Sequence, residues 1–457
     1  MSSCLGRIFL LLLIGFTTSI STQERSSFLT SQISLDVSNA INNLAHKLAV
    51  KLRNERSKSE IISPLSIGSS VLLLLRASRG NTRNQLLELL GLAKDYQKND
   101  GRIPKNFGYL LRVLLDVGEW DSSLLKKTPK WQDEAKCAPE DYQYEDEEDE
   151  FFPDSNTTEV NLIKLANAIF VQDGLFENDR LQGIVENLYL SVVENVDFVR
   201  ESDKTKARIN SWANESTNGR IPEIITDPLS PDTTMVVANA LYFKAFWEDV
   251  FLAGATKPRK FFPNGEEDES VEVEMMAHGG CFPYYYSKAL NARIMGFPYK
   301  NKTSTMYIIH PYDSNRSKLE TLIDNLDATA LDDLISNMTM RSATVQFPKL
   351  QISNSFELKT ALQKLGISAM FNRGESNFSL LNPQDATGES PTVGGMLHKV
   401  FLDVNEAGTE GGAVTATLLD RSMPAINFRV TTPFLLVIRH EVTKLLLFYG
   451  PVYDPSV

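Results

Sequence analysis

The chain has 457 residues and a net charge of −12, from 46 Lys and Arg against 58 Asp and Glu. That balance argues against a nucleic-acid partner, which wants a basic stripe, and leaves a local basic patch open. Three cysteines are too few for a disulfide scaffold, and length alone allows two or three domains.

In chain order, Arg7 precedes an apolar run from Ile8 to Ile20, with small residues at Ser19 and Ser21. This pattern predicts a secretory signal peptide over 1–21, hence a secreted, extracellular protein. The run is short for a spanning helix and no later stretch reaches 18 apolar residues, so no membrane anchor is expected. Residues 22–37 predict a flexible N-terminal segment, with a helical pattern emerging from Leu35. Ile41, Leu44, Leu48 and Leu52 then share one helix face. Ser63-Pro64 predicts a helix start, the helix running to about Ala77. Asn81 is placed to cap a third helix, which Gly91 ends.

Residues 117–158 show no apolar period. Glu140 to Glu150 is almost wholly acidic, with Tyr142 and Tyr144 embedded. They predict an acidic disordered insertion; a second reading is an acidic surface that docks on a basic patch of a protease. Met235 to Phe243 is an apolar run that suits a strand covered on both faces.

Cys4 leaves with the signal. Cys137 and Cys281 read first as two free thiols; a bridge between them stays open, because an oxidising compartment permits one. Asn156, Asn214, Asn301, Asn315, Asn337 and Asn377 each begin a glycosylation sequon. The five histidines fall in no HExxH pattern, and there is no CxxC pair, Walker loop, GxSxG elbow or GxGxxG fingerprint. No metal, no cofactor and no enzymatic activity are therefore expected.

Residues 405–424 read NEAGTEGGAVTATLLDRSMP. Taken alternately from Thr409, one face is Thr409, Gly411, Ala413, Thr415 and Thr417, all small. A strand with that face can enter a packed sheet without forcing large side chains into its core.

This stretch resembles the hinge and reactive-centre loop of the serpins, with Glu406-Ala407-Gly408-Thr409-Glu410 matching the hinge. Other blocks follow in family order from about residue 38 to 455. They include NLAHKLAVKLRNE, IISPLSIGSSVLLLL, LIKLANAIFVQDG, NALYFKAFW, FPKLQISNSFELKTALQKLGI and TTPFLLVIRHEVTKLLLFYG. The resemblance implies an α+β serpin fold over 38–457 as one domain. It implies a large five-stranded central sheet, two smaller sheets, eight or nine helices and an exposed reactive-centre loop within 405–424.

The implied function is a suicide-substrate inhibitor of a serine protease. The target cuts the loop, and the freed segment enters the central sheet as an extra strand, trapping the protease in a covalent complex with the monomeric inhibitor. Thr409 is expected to pass from solvent into the sheet as this begins. A trypsin-like pocket reads arginine through a buried aspartate, so Arg421-Ser422 is the favoured reactive bond. Family spacing from Thr409 and from Phe434 gives Ser422-Met423 as the alternative.

By the same resemblance, Ser63, Ser66, Asn239 and His398 form a shutter beneath the sheet, with His398 bonded to Asn239. Lys349 pairs with Glu406 at the breach, beside Trp247. Gly411 and Gly412 replace alanines usual in inhibitory members, at roughly 0.5–1 kcal/mol each in ordering entropy. A non-inhibitory serpin, a ligand carrier, storage protein or chaperone, is the alternative. Lys94, Lys98, Arg102, Lys105 and Arg112 leave glycosaminoglycan binding undecided.

Overall fold

The computed structural model describes residues 32–93, 102–115, 128–134, 137, 162–230, 232–383, 390–409 and 426–456. Outside them lie the signal peptide, Asn156, Lys94, Lys98, the acidic run 140–150, Glu410 and the reactive-bond candidates Arg421, Ser422 and Met423.

The apolar stripe at three- and four-residue spacing forms α1 (Gln32–Lys51), with Ile41, Leu44 and Leu48 wholly buried. The helix begins inside the segment expected to be flexible. Val37 is buried, and the Ser34 hydroxyl donates to Asn106 Oδ1 at 3.0 Å, so residues 32–37 belong to the folded body. In α2 (Pro64–Ala77), Ser63 accepts from the Ser66 N–H as N-cap and proline holds the first turn. α3 (Gly80–Leu90) departs from expectation at its start. Arg79 stands at the cap without a side-chain bond, and Asn81 lies inside the helix; Gly91, left-handed at φ 70°, ends it as expected. α4 (Arg102–Leu114) follows.

Then come β1 (Leu162–Gln172), α5 (Asp179–Leu188), β2 (Val192–Val196), α6 (Ser202–Ser216) and β3 (Met235–Phe246). The chain continues through β4 (Lys257–Phe261), β5 (Val271–Ser287), β6 (Ala292–Pro298) and β7 (Ser304–Pro311). Next are α7 (Arg316–Asp324), α8 (Ala328–Ser336), β8 (Thr339–Pro348), β9 (Leu350–Glu357) and α9 (Lys359–Lys364). Last are β10 (Val393–Val404), β11 (Gly408–Thr409), β12 (Ile426–Arg429), β13 (Phe434–His440) and β14 (Leu446–Val452).

The architecture is α+β, with nine α-helices among the described residues. The central sheet runs β2-β1-β3-β11-β10-β9. It is the expected five strands plus a two-residue wedge, β11, at one end of the β3–β10 seam. The two smaller sheets are continuous with one another, because β5 is 17 residues long. Its first part pairs with β4, its middle with β8 and its end with β6.

Period-2 alternation makes β3 two-faced. Val237, Leu241, Phe243 and Ala245 join the main core, in which α2 is buried at every position but Arg76. Val236, Ala238 and Ala240 pack instead against Ile209, Trp212 and Ala213 of α6.

Part of the 117–158 stretch contradicts the expectation of a disordered excursion. Lys130–Gln132 form a 3-10 turn whose Trp131 is 2 % exposed, packed into the core between α1, α7, α8 and the β6–β7 face. Gln132 donates to the Lys302 carbonyl at 2.9 Å, and Glu134 accepts from the Met340 N–H at 2.8 Å. Cys137 and Cys281 are joined in a disulfide, so the free-thiol reading is also corrected. The insertion is therefore anchored by one aromatic plug in that core and by one covalent bond to β5.

Candidate functional site

Three strands bring three polar side chains into one register across the seam. Asn167 of β1 stands opposite Asn239 of β3, and Asn239 opposite His398 of β10. Beneath them α2 presents Ser63, Ser66 and Ser70, whose spacing of three and four places them on one face. All six are buried.

The bonds differ from the expected pattern in one respect. The Ser63 N–H donates to His398 Nε2 at 2.9 Å, and the Ser66 hydroxyl to Asn167 Oδ1 at 2.9 Å. The Ser70 hydroxyl donates to Asn239 Oδ1 at 2.5 Å, and Asn239 Nδ2 to the Leu397 carbonyl at 3.1 Å. His398 and Asn239 are neighbours but not bonded to each other. Asn239 instead staples β3 to the backbone of β10. Since His398 Nε2 accepts, the ring proton sits on Nδ1. Burial pushes His398 down to about 3, so the ring is neutral. Its Nδ1, the Asn167 Nδ2 and the Ser69 hydroxyl have no partner among the described residues.

At the other end of the seam the chain turns from β10 through Glu406 into β11. Lys349 Nζ lies 2.7 Å from Glu406 Oε1, which also accepts from the Thr256 hydroxyl at 2.6 Å. Burial raises the Glu406 carboxyl, but these two bonds outweigh it and hold the group below the usual carboxylate range. Trp247 is buried, stacks on Tyr299 at 4.5 Å, and donates from Nε1 to the Asn405 carbonyl at 2.9 Å. Its N–H donates to the Ala407 carbonyl. Lys349 and Trp247 thus each bond within residues 405–407, the first to Glu406 and the second to Asn405 and Ala407.

Thr409 overturns its expectation. It is already wholly buried between β3 and β10, opposite Ala245 and Val404, with its hydroxyl 2.7 Å from the Tyr299 hydroxyl. Burial raises the Tyr299 pKa, so the phenol stays neutral. Gly408 permits the close approach. A Cβ there would stand 2.0 Å from the Ala245 carbonyl oxygen. No side chain larger than hydrogen fits at position 408.

Among the sequons, Asn214, Asn301 and Asn337 are exposed, while Asn315 and Asn377 are half-buried. Asn315 Oδ1 caps α7 by accepting from Lys318 N–H. Of the basic residues near α4, Lys105 lies over the Tyr109 ring and Arg112 donates to the Asn187 carbonyl at 2.7 Å. Among the described residues no group of three or more His, Cys, Asp or Glu could hold a metal ion.

Sequence reasoning missed Asn167, Ser70, Thr256 and Tyr299. Ser70 had a signal, one helical turn beyond Ser66, and so did Asn167, a lone polar residue within the apolar LANAIF. Tyr299, 110 positions before Thr409, had none.

The chain matches the family model for serpin (serine protease inhibitor) over residues 39–455. It is 33% identical over 444 residues to serine protease inhibitor 28Dc of Drosophila melanogaster, covering 92% of this chain and 79% of that one. It is 30% identical over 305 residues to leukocyte elastase inhibitor of Sus scrofa, covering 64% of this chain and 78% of that one. Human thyroxine-binding globulin shares the fold at a TM-score of 0.75 and 21% identity, over 93% of this chain and 100% of that one. A central sheet wedged at its seam, a buried polar row beneath it and this match along almost the whole length place the chain in the serpin family of serine protease inhibitors.

Proposed function

We propose that the protein is a secreted, monomeric suicide-substrate inhibitor of a trypsin-like serine protease. The observation that carries this reading is the small-residue face of 409–417 continuing from a hinge already seated in the sheet. The target's serine attacks the Arg421 carbonyl, the Arg421-Ser422 bond breaks, and the acyl-enzyme forms. The severed segment then zips into the seam from Thr409 onward, carrying the protease with it before water can release it.

Glu406, Gly408, Thr409 and Glu410 act as the hinge. Lys349 and Trp247 hold the breach, and Ser63, Ser66, Asn239 and His398 hold the shutter closed until the seam parts. The acidic insertion, anchored through Trp131 and Cys137, remains a candidate contact for a basic patch on the target. The N-terminal apolar run and the Cys137–Cys281 disulfide support export to an oxidising, extracellular space. Exposed Asn214, Asn301 and Asn337 then carry glycans, with Asn156, Asn315 and Asn377 as further acceptors. Nothing in this mechanism requires a cofactor, nucleic acid or membrane.

One observation favours the non-inhibitory alternative: Gly411 and Gly412 tax insertion with backbone entropy. The deciding experiment mixes the purified protein with trypsin-, chymotrypsin- and elastase-like enzymes. An SDS-stable complex with the first class, and a released fragment beginning at Ser422, is the expected result. A fragment beginning at Met423 moves the bond to Ser422-Met423. Clean cutting without a complex or a gain in heat stability replaces this proposal with the non-inhibitory one.

A further inference from the structure

Away from the central sheet, β6 and β7 carry a polar group that loop insertion does not involve. Arg293 of β6 lies over two rings, Tyr312 at 5.1 Å and Phe428 at 5.2 Å. Its guanidinium donates only to neutral acceptors: the Asn427 carbonyl at 3.3 Å, the Arg429 carbonyl at 3.4 Å and His310 Nδ1 at 3.0 Å. Arginine keeps its protons, so His310 Nδ1 accepts and Nε2 carries the ring proton, donating to the Thr432 hydroxyl at 2.7 Å. Burial first, and the Arg293 charge second, pull His310 down to about 3, so the ring is neutral. The Arg293 Nε has no partner among the described residues. Aromatic rings and neutral acceptors thus hold this cation in place without cancelling its charge.

Arg293, His310, Tyr312, Arg429 and Thr431 line an open cleft of about 320 Å³. Arg429 is exposed, and neither arginine forms an ion pair with a carboxylate among the described residues. Two acids also line the cleft, and both are engaged. Glu266 accepts from the Thr431 hydroxyl at 3.4 Å, and Asp313 lies 4.0 Å from Lys318 Nζ. The approach is aromatic. Tyr286 and Tyr312 meet edge-on at 5.3 Å, and they are two of the four large hydrophobic side chains left exposed among the described residues. Exposed rings beside an unanswered cation suit a flat anion, whose ring packs on the tyrosine while its charge pairs with the guanidinium.

We propose that this cleft binds a small aromatic carboxylate, with the carboxylate between Arg293 and Arg429 and the ring against Tyr312. Ligand pockets run from roughly 300 to 1,000 Å³, so a cleft at the lower end is filled by a molecule of one or two rings. Glu266 and Asp313 repel a polyanion, which disfavours a sulfated polysaccharide here. The site is separate from the seam and needs no loop insertion, so it stands or falls independently of the inhibitory mechanism.

The test titrates the full, uncut chain with naphthalene-2-carboxylate in a calorimeter. One molecule should bind per chain, with a Kd below roughly 100 μM. Naphthalene-2-carboxamide has the same shape without the charge and should bind roughly tenfold more weakly. Arg429→Gln, at an exposed position, should weaken the carboxylate roughly tenfold and leave the carboxamide unchanged. Tyr312→Leu, also at the surface, should weaken both ligands by roughly threefold, through loss of the ring face. Arg200→Gln removes an exposed arginine beyond β2 and should change neither. No binding of the carboxylate, equal binding of carboxylate and carboxamide, or wild-type binding by both Arg429→Gln and Tyr312→Leu overturns the site. A loss in Arg200→Gln as large as that in Arg429→Gln overturns it too, because the binding then follows net charge rather than this cleft.

Discussion

Replacing Thr409 with arginine sets two energies against each other at the hinge. The seat is small: two ladder positions opposite Phe246 and Ala245 and one hydroxyl bond to Tyr299 at 2.7 Å. At about 1 kcal/mol net for each bond, it is held by about 3 kcal/mol. An arginine there would bring its charge against Tyr299, itself wholly buried and stacked on Trp247. Burying a charge with one neutral partner costs several kcal/mol, so the seat gives way first. The intact variant should therefore fold and lose only the seat, about 3–4 °C in melting temperature for a chain of this size. The larger effect appears after cutting, because every inserted residue must follow position 409 into the seam. Thr409→Arg should be cut as fast as wild type, form no SDS-stable complex, and gain little heat stability on cleavage. Thermal melts of intact and cut protein, with gels of the protease mixture, read all three. A cut Thr409→Arg that gains as much stability as cut wild type would falsify the buried-hinge reasoning.

Other outcomes follow from the same geometry. Gly408→Ala should expel β11, because its Cβ would meet the Ala245 carbonyl oxygen at 2.0 Å; faster amide exchange at Thr409 and Ala245 is the check, and retained protection refutes it. Arg421→Ala should abolish complex formation with trypsin-like enzymes, whereas a persisting complex whose released fragment begins at Met423 assigns the bond to Ser422. Burial lowers His398 to about 3 and His440 to about 4 from the ordinary 6.5. The unfolded chain then binds more protons than the folded one below pH 6.5. Stability should fall as pH drops toward those values, by up to about 1.4 kcal/mol per unit for each histidine, and His398→Gln should flatten that slope in melts across pH. Trp131→Ala and Cys281→Ser together should release the backbone at the already exposed Lys130 for cutting by trypsin, while either change alone leaves an anchor and resistance to cutting.

What was legible in the sequence was set by local pattern or by side chains in matched positions. Ser63-Pro64 announces the start of α2, and the apolar stripe announces α1. His398, Asn239, Lys349 and Glu406 sit in the expected neighbourhoods because their strands are fixed by alternation and register. The failures share a physical cause, since each depends on a distant partner. Thr409 is buried because Tyr299, far away in sequence, offers a hydroxyl beside the seam. Trp131 lies in a segment without periodicity, so nothing nearby marks it as core. The Cys137–Cys281 bond spans 144 positions, and spacing alone carries no information about it. Asn81 reads as a cap because its residue type favours that role, yet the helix starts two residues earlier than such a cap allows, at Gly80 with Arg79 as the cap.

The disulfide also divides the chain into a ring and two tails. Residues between Cys137 and Cys281 form a covalently closed circuit that includes β1, β2 and β3, whereas β9, β10 and the loop before β12 hang outside it. A nick between 138 and 161 leaves both pieces tied together until a reductant is added. A nick anywhere in 410–425 frees a C-terminal piece that carries no cysteine and separates at once in denaturant. The protein thus records where it was attacked, and one gel run with and without reductant distinguishes a wound in the acidic run 140–150 from a cut in the bait.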